Sequence, residues 1–167
     1  MILEELNTLD QQHLREELLK CCGSSSWVKM MMAYFPADSK EELLEEAEEI
    51  WSECSEDDWK EAFAHHPKIG DVESLTKKFA STAQWASGEQ IGVSTATPEI
   101  IQALANGNSL YEEKFGYIFI VCATGKSAAE MLELLQARLQ NKPAEEIKIA
   151  AAEQNKITKL RVEKLLS

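Results

Sequence analysis

The chain is poor in positive charge. Against 29 aspartates and glutamates it carries 17 lysines and arginines, and only three of these are arginine. A net charge of −12 argues against nucleic acid or an anionic membrane as partners, because binding phosphates needs a basic surface. It also makes capture of an anionic substrate depend on a local cation, which singles out Arg15, Arg138 and Arg161. Cysteine is scarce too. Cys21, Cys22, Cys54 and Cys122 form no C-x-x-C, so zinc and redox readings are weak and reduced thiols are expected. No apolar run approaches the length of a membrane span. The opening MILEELNTLD lacks the basic start and small-residue cleavage site of a signal peptide. The closing Lys164-Leu165-Leu166-Ser167 is not the peroxisomal Ser-Lys-Leu address, and a cytoplasmic location is the expectation. A Gly-rich phosphate loop and a Gly-x-Ser-x-Gly elbow are both missing.

What is present is mostly helical punctuation. At 167 residues, one domain spanning 1–167 is expected, with room for a hydrophobic core. Capping pairs are read at Thr8 with Gln11, Asp38 with Glu41, Ser55 with Asp58 and Ser127 with Glu130. Ser24 to Ser26 offer caps for an apolar segment from Trp27 to Phe35, and Gly23 is a stop for the helix before it. Asp71 to Ala86 reads as helix. Thr97-Pro98 opens another, with proline at its first position. Asn106-Gly107-Asn108 is expected to interrupt that helix, and Pro143 to start a last one reaching Leu166. Tyr117 to Val121 alone has strand character, and without a partner strand it is read as extended core or the start of a buried helix. The expectation is an all-α bundle of about eight helices with one short extended segment near Phe119. The many glutamates around residues 41–49 are read as a solvated face, and Met30-Met31-Met32 as soft core packing.

Two of the three histidines sit in Ala64-His65-His66-Pro67-Lys68-Ile69-Gly70, between two helical stretches. Imidazole titrates nearest neutrality and suits proton transfer. Pro67 fixes its own φ and pushes His66 out of the helical region, so the histidine stands on a stiff corner. Adjacent histidines cannot easily converge on one ion, so no metal site is read there. His13, among glutamates on the first amphipathic helix, is expected to be exposed. A histidine in service needs a partner, and Glu89-Gln90 lies among small residues that would let a ligand approach. Arg161, in Ile157-Thr158-Lys159-Leu160-Arg161, either snorkels outward or forks onto an anion.

Together these segments resemble the 2-oxo-4-hydroxy-4-carboxy-5-ureidoimidazoline (OHCU) decarboxylase family. The corner motif is followed in order by Glu89-Gln90, by Asn108-Ser109-Leu110-Tyr111-Glu112-Glu113-Lys114-Phe115-Gly116, and by Ile157-Thr158-Lys159-Leu160-Arg161. The runs Phe119 to Ser127 and Arg138-Leu139-Gln140-Asn141 look similar as well. The resemblance implies an all-helical, cofactor-free carboxy-lyase that forms (S)-allantoin in the last step of urate degradation. It also implies a homodimer, with urate oxidase and 5-hydroxyisourate hydrolase as pathway neighbours. It makes His66 and Glu89 catalytic, and Pro67, Gln90, Phe119, Ile120 and Arg161 substrate-binding, with no metal. The chain departs from the family pattern at Ala86, where serine is common, and Ser87 follows one place later.

Two other readings remain open on residues alone. One is a metal-free hydrolase or lyase on a related ureide, using the same histidine as base. The other is a non-enzymatic helical module whose acidic face meets a basic partner.

Overall fold

The computed structural model describes residues 1–68, 70–86 and 97–167, and only the backbone of 80–86. Among the described residues there are nine helices and no strand. They are α1 (Leu3–Thr8), α2 (Gln11–Cys21), α3 (Ser25–Tyr34), α4 (Lys40–Glu53), α5 (Glu56–Ala64), α6 (Val72–Ala86), α7 (Pro98–Phe115), α8 (Ala128–Leu139) and α9 (Pro143–Leu165). The all-α expectation holds. The additional helix is the short α1, and it corrects the Thr8 reading: Thr8 closes α1, while Asp10 caps α2 by accepting from the His13 N–H at 2.8 Å. The cap of α4 is Ser39, one place after Asp38. Ser24, Ser55, Thr97 and Ser127 cap as expected, each accepting from a backbone N–H in the first turn.

The expected break at Asn106-Gly107-Asn108 is absent, because α7 runs through it. Gly107 is buried, and a Cβ there would lie 2.6 Å from Leu135 Cδ2. The glycine lets α8 approach α7, and that packing outweighs a helix-propensity cost of about 1 kcal/mol. Tyr117 to Ala123 is neither helix nor paired strand, which leaves the extended-core reading and removes the helix-start one.

The chain packs as two compact units. The first comprises Met1–His66 and Ile147–Ser167, and the second comprises Pro67–Glu146. In the first, Leu6, Leu18, Trp27, Met31, Leu43 and Phe63 are fully buried. Its tryptophans join apolar bulk to a satisfied donor: Trp27 Nε1 donates to the Ala47 carbonyl at 3.1 Å and Trp51 Nε1 to the Ala151 carbonyl at 2.8 Å. The second of these bonds ties α4 to α9 where Ala150 and Ala151 leave room for close approach.

The second unit is centred on a buried charge. Glu146 is wholly enclosed and accepts from Arg138 Nε at 2.8 Å, from Asn141 Nδ2 at 3.0 Å and from the Tyr111 hydroxyl. Arg138 Nη1 also donates to the Ile120 carbonyl at 2.7 Å, and its guanidinium carbon lies 4.5 Å from the Phe119 ring centre. One arginine therefore neutralises the buried carboxylate and pins the extended segment.

All four cysteines are buried, and none forms a disulfide. Burial pushes the Cys21 and Cys54 thiols up to about 11 and Cys22 up to about 12, so these three are protonated at neutral pH.

Candidate active site

The histidine corner begins at α5. Ser55 and Asp58 form a capping box at its start, and the helix is moored to α3: the Glu61 carboxylate accepts from the Ser25 N–H at 2.8 Å and Asp58 from the Ser26 hydroxyl at 2.9 Å. The helix ends at Ala64, and the His65 and His66 N–H groups donate back to the Ala62 and Phe63 carbonyls at 3.2 Å. Gly23 is needed here for space, since a Cβ on it would lie 2.4 Å from His65 Cβ. The glycine after α2 thus serves close approach of backbone to side chain, not a left-handed stop.

His66 is half-buried, and its Nε2 is hydrogen-bonded to the Gln154 carboxamide oxygen on α9. Desolvation holds its pKa below the ordinary imidazole value. Nearby positive charge on Arg161 and His65 acts in the same direction, and the Gln154 bond opposes them. At neutral pH the imidazole is therefore neutral and able to accept a proton.

Gln154 continues into a buried polar row. Its Nε2 donates to the Thr158 hydroxyl at 3.0 Å, and the Thr158 side chain is also hydrogen-bonded to Cys22. Residues 154, 158 and 161 are spaced four and three apart, which places them along one face of α9. Arg161 is half-buried, with Nη1 donating to the Lys20 and Cys21 carbonyls at 3.3 and 3.5 Å. A cation over those last-turn carbonyls complements the negative end of α2.

Of the expected site residues, the first unit thus brings His66 and Arg161 close enough to interact electrostatically. Pro67 is exposed, Phe119 is half-buried and Ile120 is buried, all in the second unit. Glu89, Gln90 and Ser87 lie outside the described residues. His13 is exposed and pairs with Asp10 at 2.7 Å, which raises its pKa. Sequence reasoning missed Gln154 and Glu146. The first was open to discovery from the spacing of Gln154, Thr158 and Arg161 on an otherwise apolar face.

A family profile described as OHCU decarboxylase matches residues 7–163. The chain belongs to the OHCU decarboxylase family. It is 41% identical over 153 residues to the "Uric acid degradation bifunctional protein TTL" of Arabidopsis thaliana, a match covering 91% of this chain and 47% of that protein. It thus spans about half the length of that curated relative. It is 25% identical over 166 residues to the "2-oxo-4-hydroxy-4-carboxy-5-ureidoimidazoline decarboxylase" of Halalkalicoccus jeotgali, covering 99% of this chain and 92% of that one. Among solved structures it is similar to an OHCU decarboxylase crystallised in the presence of (S)-allantoin, with 40% identity and a TM-score of 0.71. That match covers 90% of this chain and 96% of the other. The matched span includes the segments on which the resemblance rests: His66-Pro67, Glu89-Gln90, Asn108 to Gly116 and Ile157 to Arg161.

Proposed function

We propose that this chain catalyses the cofactor-free decarboxylation of 2-oxo-4-hydroxy-4-carboxy-5-ureidoimidazoline to (S)-allantoin, the last step of urate degradation. The observation that carries the reading is a neutral, half-buried imidazole at the His-Pro corner, within electrostatic reach of a cation on the C-terminal helix. On the motifs that carry them, His66 and Glu89 are assigned the proton transfer. Pro67, Gln90, Phe119, Ile120 and Arg161 are assigned the substrate contacts. The protein works as a homodimer in the cytoplasm, downstream of urate oxidase and 5-hydroxyisourate hydrolase.

The chemistry needs little from the protein beyond binding and proton control. The bond from C4 to the carboxylate breaks and CO2 leaves; the electron pair forms a double bond to the neighbouring carbon, and the imine pair moves onto the ring nitrogen, which takes up a proton from solvent. As the 4-hydroxyl gives up its proton, C4 becomes a carbonyl, and a proton added to one face of the neighbouring carbon sets the (S) centre. A neutral His66 can receive a proton and return it, and holding the donor on one side of the ring fixes the stereochemistry. Excluding water around the carboxylate favours its departure, because its charge is lost with CO2.

The ring supplies its own electron sink, so decarboxylation of freshly generated substrate should proceed at an undiminished rate after exhaustive chelation. Activity that vanishes with chelator and returns with zinc or manganese would contradict the mechanism.

Arg161 tests substrate capture. In a chain carrying −12, an anion is repelled at long range and depends on a cation where it binds. Arginine can fork two hydrogen bonds onto a carboxylate or planar carbonyl group, and lysine cannot. Arg161→Lys should lose roughly 1.5–3 kcal/mol of charged hydrogen bonding. The resulting fall in kcat/KM is about tenfold or more, with thermal stability nearly unchanged. Wild-type kinetics, or a variant that unfolds, would reduce Arg161 to a cap on α2.

A further inference from the structure

Gln154 is wholly buried, on a face of α9 that otherwise packs Ala150, Ala151 and Val162. An aliphatic side chain would fill that place without desolvating an amide, which is costly unless both ends are bonded. Both ends are bonded. The amide nitrogen donates to Thr158, so the amide oxygen faces His66. An amide oxygen only accepts, so a neutral imidazole in this bond carries its proton on Nε2 and keeps its lone pair on Nδ1.

We propose that Gln154, held in orientation by Thr158, is a positioning residue that selects the Nε2–H tautomer of His66 and leaves Nδ1 as its basic nitrogen. The functional weight of this inference rests on His66 being the proton-transfer residue, but the tautomer itself is a property of the free protein. Thr158 acts at one remove. Its hydroxyl receives the amide N–H and also bonds Cys22, whose thiol stays protonated at neutral pH. Without that hydroxyl the amide is free to turn over and present its NH2 to His66, which would reverse the roles of the two ring nitrogens. Among the described residues, the charged or titratable groups acting on His66 are Arg161 on α9 and His65 beside it, and both disfavour the imidazolium. Neither dictates which nitrogen of the neutral ring carries the proton.

The test is nitrogen-15 NMR of the full-length chain labelled at histidine, without substrate and across a pH series. Of the chain's three histidines, His66 is assigned by the signals missing from His66→Ala. The expected result is a protonated Nε2 and an unprotonated Nδ1 for His66 in the neutral form. Thr158→Val, which keeps shape but not the hydroxyl, should give a mixture of tautomers or the reversed one. Its kcat should fall about 10–100-fold, by analogy with the partners that fix the tautomer of metal-bound imidazoles, with KM little changed. Gln154→Glu retains an acceptor, so it should restore the Nε2–H tautomer and move the acid limb of the pH–rate profile upward. The proposal is overturned if wild-type His66 carries its proton on Nδ1, or if Thr158→Val leaves both tautomer and kcat unchanged. Because the tautomer is read without substrate, its outcome is separate from that of the decarboxylase reading, which wild-type turnover reports.

Discussion

Replacing His66 with alanine is expected to slow (S)-allantoin formation by about 10²–10⁴-fold, the usual contribution of a general acid–base group. The fold should survive. The lost ring leaves the Gln154 amide oxygen unpaired, which costs about 1–3 kcal/mol, a fraction of a domain's stability. Spontaneous decay of the substrate should persist and give racemic product. His65→Ala should stay near wild type, because His65 is exposed at the end of α5. The pH dependence follows from burial. Desolvation lowers the His66 pKa, so the neutral base persists below the ordinary imidazole range. The rate falls only as pH drops through that lowered value, and an acid limb of kcat/KM above the ordinary imidazole value would contradict this assignment.

The second large effect is on stability. Glu146→Gln should remove the counter-charge of Arg138, whose guanidinium is itself buried, while the Tyr111 hydroxyl and Asn141 keep a neutral partner. Breaking a buried ion pair from one side costs about 3–5 kcal/mol. The change should appear in urea denaturation as a lower midpoint with an unchanged slope. Glu73→Gln, at the exposed Lys77–Glu73 pair of α6, is the control and should shift stability by no more than about 0.5 kcal/mol. Equal midpoints for the two variants would mean that the buried pair contributes no more than a surface one. Arg138 also holds the Ile120 carbonyl and lies against Phe119, so loosening it should loosen the extended segment as well.

Where the sequence was legible, the signals were local. Ser24, Ser55, Thr97 and Ser127 cap helices because a hydroxyl three residues before a free backbone N–H needs no tertiary contact to act. The misreadings came where two local signals competed or a distant neighbour decided. Thr8 lost the cap to Asp10 because α1 already occupies residues 3–8. Asn106-Gly107-Asn108 stays helical because Leu135 on α8 fills the space a side chain at Gly107 would need. Glu146 looks like one more acid in the first turn of α9, beside Glu145. Only the approach of Tyr111 and Arg138 from α7 and α8 makes it a buried hub. The His66-Pro67 corner could be read directly, since proline stiffens it in any context. The Gln154 bond to it joins residues 88 positions apart, and only the helical spacing to Thr158 and Arg161 hints at it.

The most direct test follows the optical activity of the product when the purified chain meets freshly generated 2-oxo-4-hydroxy-4-carboxy-5-ureidoimidazoline. The account predicts that decay is accelerated and that circular dichroism of (S)-allantoin grows with it. Decay at the uncatalysed rate, or accelerated decay to racemic allantoin, would contradict a protein that controls the proton on one face of the ring.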